Sequence, residues 1–268
     1  MKSVGLLLCC LLVCAQIHAQ ALHFQATQPT DSVGLSRSIR DLAGGALDQQ
    51  QGPEQETEPS NRFLLQLATE QYTDATNTFA AWRAQHPAQG FDQDILLELF
   101  GKTKAAEATE HLPLEEAFGR AFAAVFRELG DKAALDSEYF LQTPPGVFRQ
   151  QLEQLLEQFK GRQSLALADA LSLIRAYLTM EAQQSIAPYL NAAEARDDQR
   201  RYTIDSQVLI KTRDGATLSA IVVRRKGTRE PQPASLRFTI YVDPLGLYLA
   251  KVAAIHDYAG CDGQSRSG

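Results

Sequence analysis

The texture of this sequence changes once, and abruptly, at Arg200. From Ser60 to that point apolar residues recur every three or four positions, the period of helices that bury one face. Beyond it, "RYTIDSQVLIKTRDGATLSAIVVRRKG" alternates in strand fashion and is rich in β-branched residues. A helix brings residues four apart onto one face and a strand brings residues two apart, so the two patterns belong to different layers. The chain therefore reads as an N-terminal helical bundle over 60–200, then a second, strand-bearing unit from 201. Its 268 residues leave room for one large or two medium domains, and a hydrophobic fraction of 44% supplies core material.

Within the helical region, Ser60 serves as N-cap for a helix through Phe63, Leu64, Leu67, Phe79 and Trp82 that ends at His86-Pro87. "FDQDILLELFG" reads as a short helix stopped by Gly101. In "HLPLEEAFGRAFAAVFRELG", Pro113 suits a first turn, and Glu115 and Glu116 sit near the positive end of the dipole. Phe118, Phe122, Val125, Phe126 and Leu129 then make one stripe, closed by Gly130. Thr143-Pro144-Pro145 introduces a helix striped by Phe148, Leu152, Leu155, Leu156 and Phe159. A longer helix aligns Leu167, Leu171, Ile174, Tyr177 and Leu178 and bends near Pro188. Two stripes share a spacing, but their turn residues differ and no repeat period extends further. These faces are core, packed as a bundle.

The front of the chain has a different character. "MKSVGLLLCCLLVCAQIHAQALHF" places Lys2 before an apolar run from Val4 to Cys14, then small residues at Ala15, Ala19 and Ala21. That is the layout of a secretory signal peptide over 1–21, cut after Ala19 or Ala21, and the run is short for a membrane span. Val13 is bulky for a lipoprotein box ending at Cys14. Three of the four cysteines lie in this leader, so a cut chain keeps only Cys261 and forms no internal disulfide. Residues 22–59 are polar and Gln-rich ("LDQQQGPEQETEPSN"), a flexible linker with a short helix over Ser36–Ala46.

After Arg200, Asp214-Gly215 marks a hairpin turn, "TREPQPAS" is a loop, and "LRFTIYVDP" is a third strand. "LGLYLAKVAAIHDYAG" reads as a helix ending at Gly260. This order carries a resemblance. Thr212-Arg213-Asp214-Gly215-Ala216-Thr217-Leu218, a basic strand with a proline-bearing loop, Ile240-Tyr241-Val242-Asp243-Pro244 and then Asp257-Tyr258-Ala259 follow one another. Together they resemble the opening of the catalytic domain in the Xaa-Pro dipeptidyl-peptidase and cocaine-esterase family of serine hydrolases. The likeness covers roughly the last quarter of the chain.

The resemblance implies that the chain is α + α/β, a helical bundle followed by the incomplete start of an α/β-hydrolase fold, whose Ser-Asp-His triad cleaves ester, amide or peptide bonds. It implies that residues 201–260 are the truncated start of such a domain, without nucleophile, acid or base. Residues 261–268 are then a shortened remnant or an unrelated tail. It gives Tyr241 the role of oxyanion-hole donor, since a phenol can donate to developing negative charge. Here Tyr241 precedes Val242-Asp243-Pro244 rather than following a proline directly, and a strand-end tyrosine packed on the sheet is the alternative.

Other chemistry is thin. Gly263-Gln264-Ser265-Arg266-Ser267-Gly268 spells G-x-S-x-x-G, but "GCD" before Ser265 does not read as a strand and neither Asp nor His follows. His86, His111 and His256 lack metal-ligand spacing, so neither metal nor cofactor is expected. His256-Asp257 reads as a solvated helix end, and "EARDDQRR" as a charged, exposed one. A net charge of -6 with scattered signs excludes a nucleic-acid footprint. Two functions stand at this point. The first is the N-terminal portion of an exported, periplasmic or extracellular serine hydrolase, inactive by itself, whose parent takes a small ester, amide or peptide substrate. The second is a non-enzymatic exported helical interaction module with a small β-appendage.

Overall fold

The apolar stripes converge on one another across a mostly helical body, described in a computed structural model over residues 22–24, 32–49, 58–86, 94–215, 217–228, 230–239 and 246–265. The leader over 1–21 and Tyr241 lie outside the described residues. In chain order come β1 (Leu22–His23), α1 (Ser32–Gln49), α2 (Pro59–Ala68), α3 (Tyr72–Gln85), α4 (Ile95–Glu110) and α5 (Leu114–Glu128). Then follow α6 (Asp131–Leu141), α7 (Pro145–Gln158), β2 (Ser164–Leu165) and α8 (Leu167–Arg201). A C-terminal unit closes the order with β3 (Tyr202–Lys211), β4 (Thr217–Arg225), β5 (Ala234–Thr239), α9 (Gly246–Ile255) and β6 (Ala259–Ser265). The protein is α+β: nine helices among the described residues and a four-stranded mixed sheet.

Local chemistry explains most boundaries. α5 runs from Pro113 at its N-cap with Glu115 and Glu116 in the first turn, and it buries Phe118, Phe122, Val125 and Phe126 as the spacing requires. Phe122 and Phe126 stack with ring centroids 3.8 Å apart. α7 starts on Pro145 and buries Phe148, Leu152 and Leu156. α8 continues through Pro188 as one 35-residue helix and lines the bundle with Leu173, Ile174, Leu178, Ala182 and Ile186. Its buried Gln183 donates from Nε2 to the carbonyls of Leu141 and Thr143, meeting acceptors that the end of α6 leaves open.

Five expectations need correction. Residues 22–59 are no plain linker: Leu22 and Phe24 are buried, and α1 runs from 32 to 49 with Leu35, Ile39, Leu42, Ala43 and Ala46 in the core. Those five fall at helical spacing, diluted by the polar residues between them. The helix expected from Ser60 to Trp82 is two, broken where Glu70 takes φ 62° and the Gln71 N–H reaches back to the Gln66 carbonyl in a Schellman-type stop. Gly101 does not stop α4; it lies inside it, where a Cβ would meet Leu67 Cδ2 at 2.9 Å, so it serves close packing of α4 on α2. The helix read to Gly260 ends at Ile255, and the stretch read as a tail from 261 belongs to β6.

The sheet order is β3-β4-β6-β5, with β3–β4 and β4–β6 antiparallel and β5–β6 parallel. Gly215, at φ 88°, closes the β3–β4 turn at the place the Asp-Gly pair marked. α9 connects the parallel pair and packs on one face, where Tyr202, Val223, Ala250 and Ala254 form a small separate core. The contact is so close that a Cβ on Gly260 would lie 2.1 Å from the Ala250 carbonyl oxygen. Backbone cannot yield as a side-chain tip can. Gly260→Ala is therefore expected to lower unfolding free energy by about 1–3 kcal/mol. Gly130→Ala, with open space around the new methyl, should stay within about 0.5 kcal/mol of the parent in the same urea titration.

Candidate functional site

Bundle and sheet meet without a spacer, because α8 ends at Arg201 and β3 begins at Tyr202. The last turn of α8 was expected to be exposed; instead Asp197, Asp198 and Arg201 are buried. The reason is geometric. α5 and α6 abut that turn and present carbonyls and a carboxylate to it. Arg201 donates to Asp197 at 2.5 Å, to Asp131 at 2.8 Å, and to the carbonyls of Leu129 and Phe126 at the end of α5. Arg225 of β4 reaches the other oxygen of Asp131 at 3.0 Å, tying the hairpin to the bundle.

Beside this seam lies a cavity of about 450 Å³ walled by α6, the start of α7, α8 and α9. Its floor is charged. Lys251, the one ionic residue of α9, points its Nζ between Glu138 of α6 at 2.9 Å and Asp198 of α8 at 2.5 Å. Gln142 donates to Glu194 Oε2 at 2.6 Å, while Glu194 Oε1 is enclosed with no hydrogen-bond partner. Tyr139 and Tyr248 stand at the mouth with ring centroids 5.1 Å apart. Two carboxylates thus share one lysine, and a third carboxyl group, Glu194, lines the same half-dry pocket. Burial pushes Glu138 up to about 7 against the pull of Lys251, and burial likewise takes Glu194 to about 7 against its Gln142 hydrogen bond. Burial raises Asp198 too, opposed by Lys251. For Lys251, burial acts to depress the ammonium, but Glu138 and Asp198 outweigh it and hold the pKa above the usual lysine value. Groups poised near neutrality can take up or release protons at physiological pH, which is the property of acid–base sites.

The residues singled out from sequence do not converge here. Ser265 is the last residue of β6, its backbone paired opposite Leu218 of β4, so it sits in a ladder rather than on a strand-to-helix elbow. His256 is exposed at the end of α9, as expected, and Asp257 pairs with Arg225. His86 stacks on Trp82, and His111 caps α4 at φ 56°. Among the described residues, no group of three His, Cys, Asp or Glu side chains could hold a metal, and no helix is long and apolar enough to cross a membrane. The charged cavity was missed. One signal for it was present: Lys251 is a single cation inside the apolar run "GLYLAKVAAI", and a lysine so placed needs buried carboxylates. No protein-family model matches this chain, nor does any curated protein or solved structure.

The raised carboxyls have a thermodynamic consequence. A carboxyl that titrates near 7 when folded and near 4.5 when unfolded holds its proton better in the folded state. Its contribution to stability is therefore full below the unfolded value and is lost as pH rises from about 4.5 to about 7. The thermal midpoint should accordingly be higher at pH 5 than at pH 8, and Glu138→Gln should flatten that slope; a midpoint that climbs through this interval would contradict the assignment. Lys251→Met strands two carboxylates, and a loss of about 3–5 kcal/mol is expected in denaturant titrations at pH 8, shrinking at pH 5.

Proposed function

We propose that residues 201–265 are the opening strands of an α/β-hydrolase domain of the Xaa-Pro dipeptidyl-peptidase and cocaine-esterase type, carried behind a helical domain on an exported polypeptide. The nucleophile, acid and histidine of the Ser-Asp-His triad are then supplied by polypeptide beyond these strands. The substrate class is an ester, amide or peptide. The observation that carries this reading is the parallel β5–α9–β6 crossover set beside an antiparallel hairpin, with the outer edge of β5 open. Among the described residues β5 pairs only with β6, and Leu236 on it is 65% exposed. Ile210 and Leu236 lie on the face away from α9 and are both exposed. A parallel strand with an apolar open edge is the form of a sheet that continues into further strands.

The leader pattern supports export, to the periplasm or the extracellular space. Tyr241 is the oxyanion donor that the resemblance implies. In that role its phenol donates to the oxygen that gains charge as the acyl carbon turns tetrahedral. On this reading the chain has no hydrolytic activity of its own. A fluorophosphonate serine probe should leave the purified chain unlabelled; labelling of Ser265 together with ester turnover would refute its inactivity.

A second reading, a non-enzymatic exported helical interaction module with a small β-appendage, draws support from the buried Glu138–Lys251–Asp198 cluster that fastens the sheet to the bundle. Limited proteolysis separates the two. The hydrolase reading expects early cuts after Arg201, within 226–239, and a persistent helical core. Equal resistance across both parts favours the module.

A further inference from the structure

We propose that the cavity between β5 and α9 binds a small ligand that carries paired N–H or O–H donors on an apolar body, with Asp262 as the acceptor. This cavity, of about 470 Å³, is separate from the charged one and lies on the opposite flank of α9. Asp262 lines it from β6, 1% exposed, and neither carboxylate oxygen has a hydrogen-bond partner. Strand alternation sends Asp262 to the same face as Gly260, two residues earlier, which touches Ala250 of α9.

The charge of this carboxylate is offset while its hydrogen-bonding capacity is not. The Arg237 guanidinium lies 3.9 Å from Oδ1, close enough for ionic attraction and too far for a hydrogen bond. Asp262 also presses on Gly246, the first residue of α9, where the helix presents its positive end. An ionised carboxylate accepts about four hydrogen bonds. With its charge met by an arginine and a helix end, it selects N–H or O–H donors rather than charge alone. Leu249, Val252 and Ala253 supply an apolar wall from α9 for the rest of the ligand. A carboxylate held dry without donors is destabilising, so a ligand that brings them gains the full value of hydrogen bonds to a charged group.

Three probes of one shape test this on the full chain: benzamide and benzamidine, which carry paired N–H donors, and N,N-dimethylbenzamide, which keeps the ring and carbonyl and lacks them. Isothermal titration calorimetry should find both donors binding about tenfold or more tighter than the dimethyl compound. Asp262→Leu, which leaves no acceptor, should erase that preference. Should this variant fail to fold, Ala253→Phe fills the cavity from the α9 side and is expected to abolish binding of all three with an unchanged far-UV spectrum. Equal affinity for benzamide and its dimethyl analogue would overturn the proposal. So would absence of binding by all three, retention of the preference in Asp262→Leu, or undiminished binding to Ala253→Phe.

Discussion

One buried ammonium group determines how the two parts of this molecule sit together. Lys251 belongs to the helix that clamps the sheet, yet both of its carboxylate partners belong to the bundle, Glu138 on α6 and Asp198 on α8. Such an arrangement contributes little net stability, because desolvation offsets most of the attraction. Its effect is on position. Any slide of α9 along the bundle would leave a charge dry and alone, and that penalty is much larger than the net value of the intact cluster. The sheet follows α9, since Gly260 admits the α9 backbone at a separation that no other residue allows.

The junction at Arg201 and Tyr202 works in the same direction. A helix of 35 residues passes into a strand with no spacer, and the arginine at the joint donates to Asp197 of its own helix, to Asp131 of α6 and to two carbonyls at the end of α5. Tyr202 then begins the small core under α9. These contacts tie the sheet's first two strands to the bundle, whereas β5, farthest across the sheet order, pairs only with β6 among the described residues. Burial at the same seam moves Glu138 and Glu194 toward neutrality, so the attachment and the titratable cavity are one place.

Legibility followed the range of the interaction responsible. α5 and α7 could be read outright, because a proline at the start and an apolar stripe, joined in α5 by first-turn acids, all act within one helix. The β3–β4 hairpin was equally local, set by Asp214-Gly215. Gly101 was misread since its small size answers a contact with Leu67, 34 positions earlier, that no local rule contains. α1 was taken for part of a linker because its five core residues are diluted among polar ones. β6 escaped notice because "AGCDGQS" has almost no strand propensity and is held by neighbours on both sides. The charged cavity was legible only in part: Lys251 stands alone in an apolar run, but Glu138 and Asp198 are far from it in the chain and each resembles an ordinary surface charge.

By itself the sequence determined the succession of periods: helices to Arg200, strands after it, and the turn chemistry between them. Those are properties of neighbouring residues, enforced by backbone geometry and by which face each element must hide from water. Only the tertiary structure decided that α1 joins the core, that β6 enters the sheet between β4 and β5, and that two carboxylates share one lysine. Burial and electrostatic partnership depend on distances between segments that are remote in the chain, and they exist only once the segments have packed.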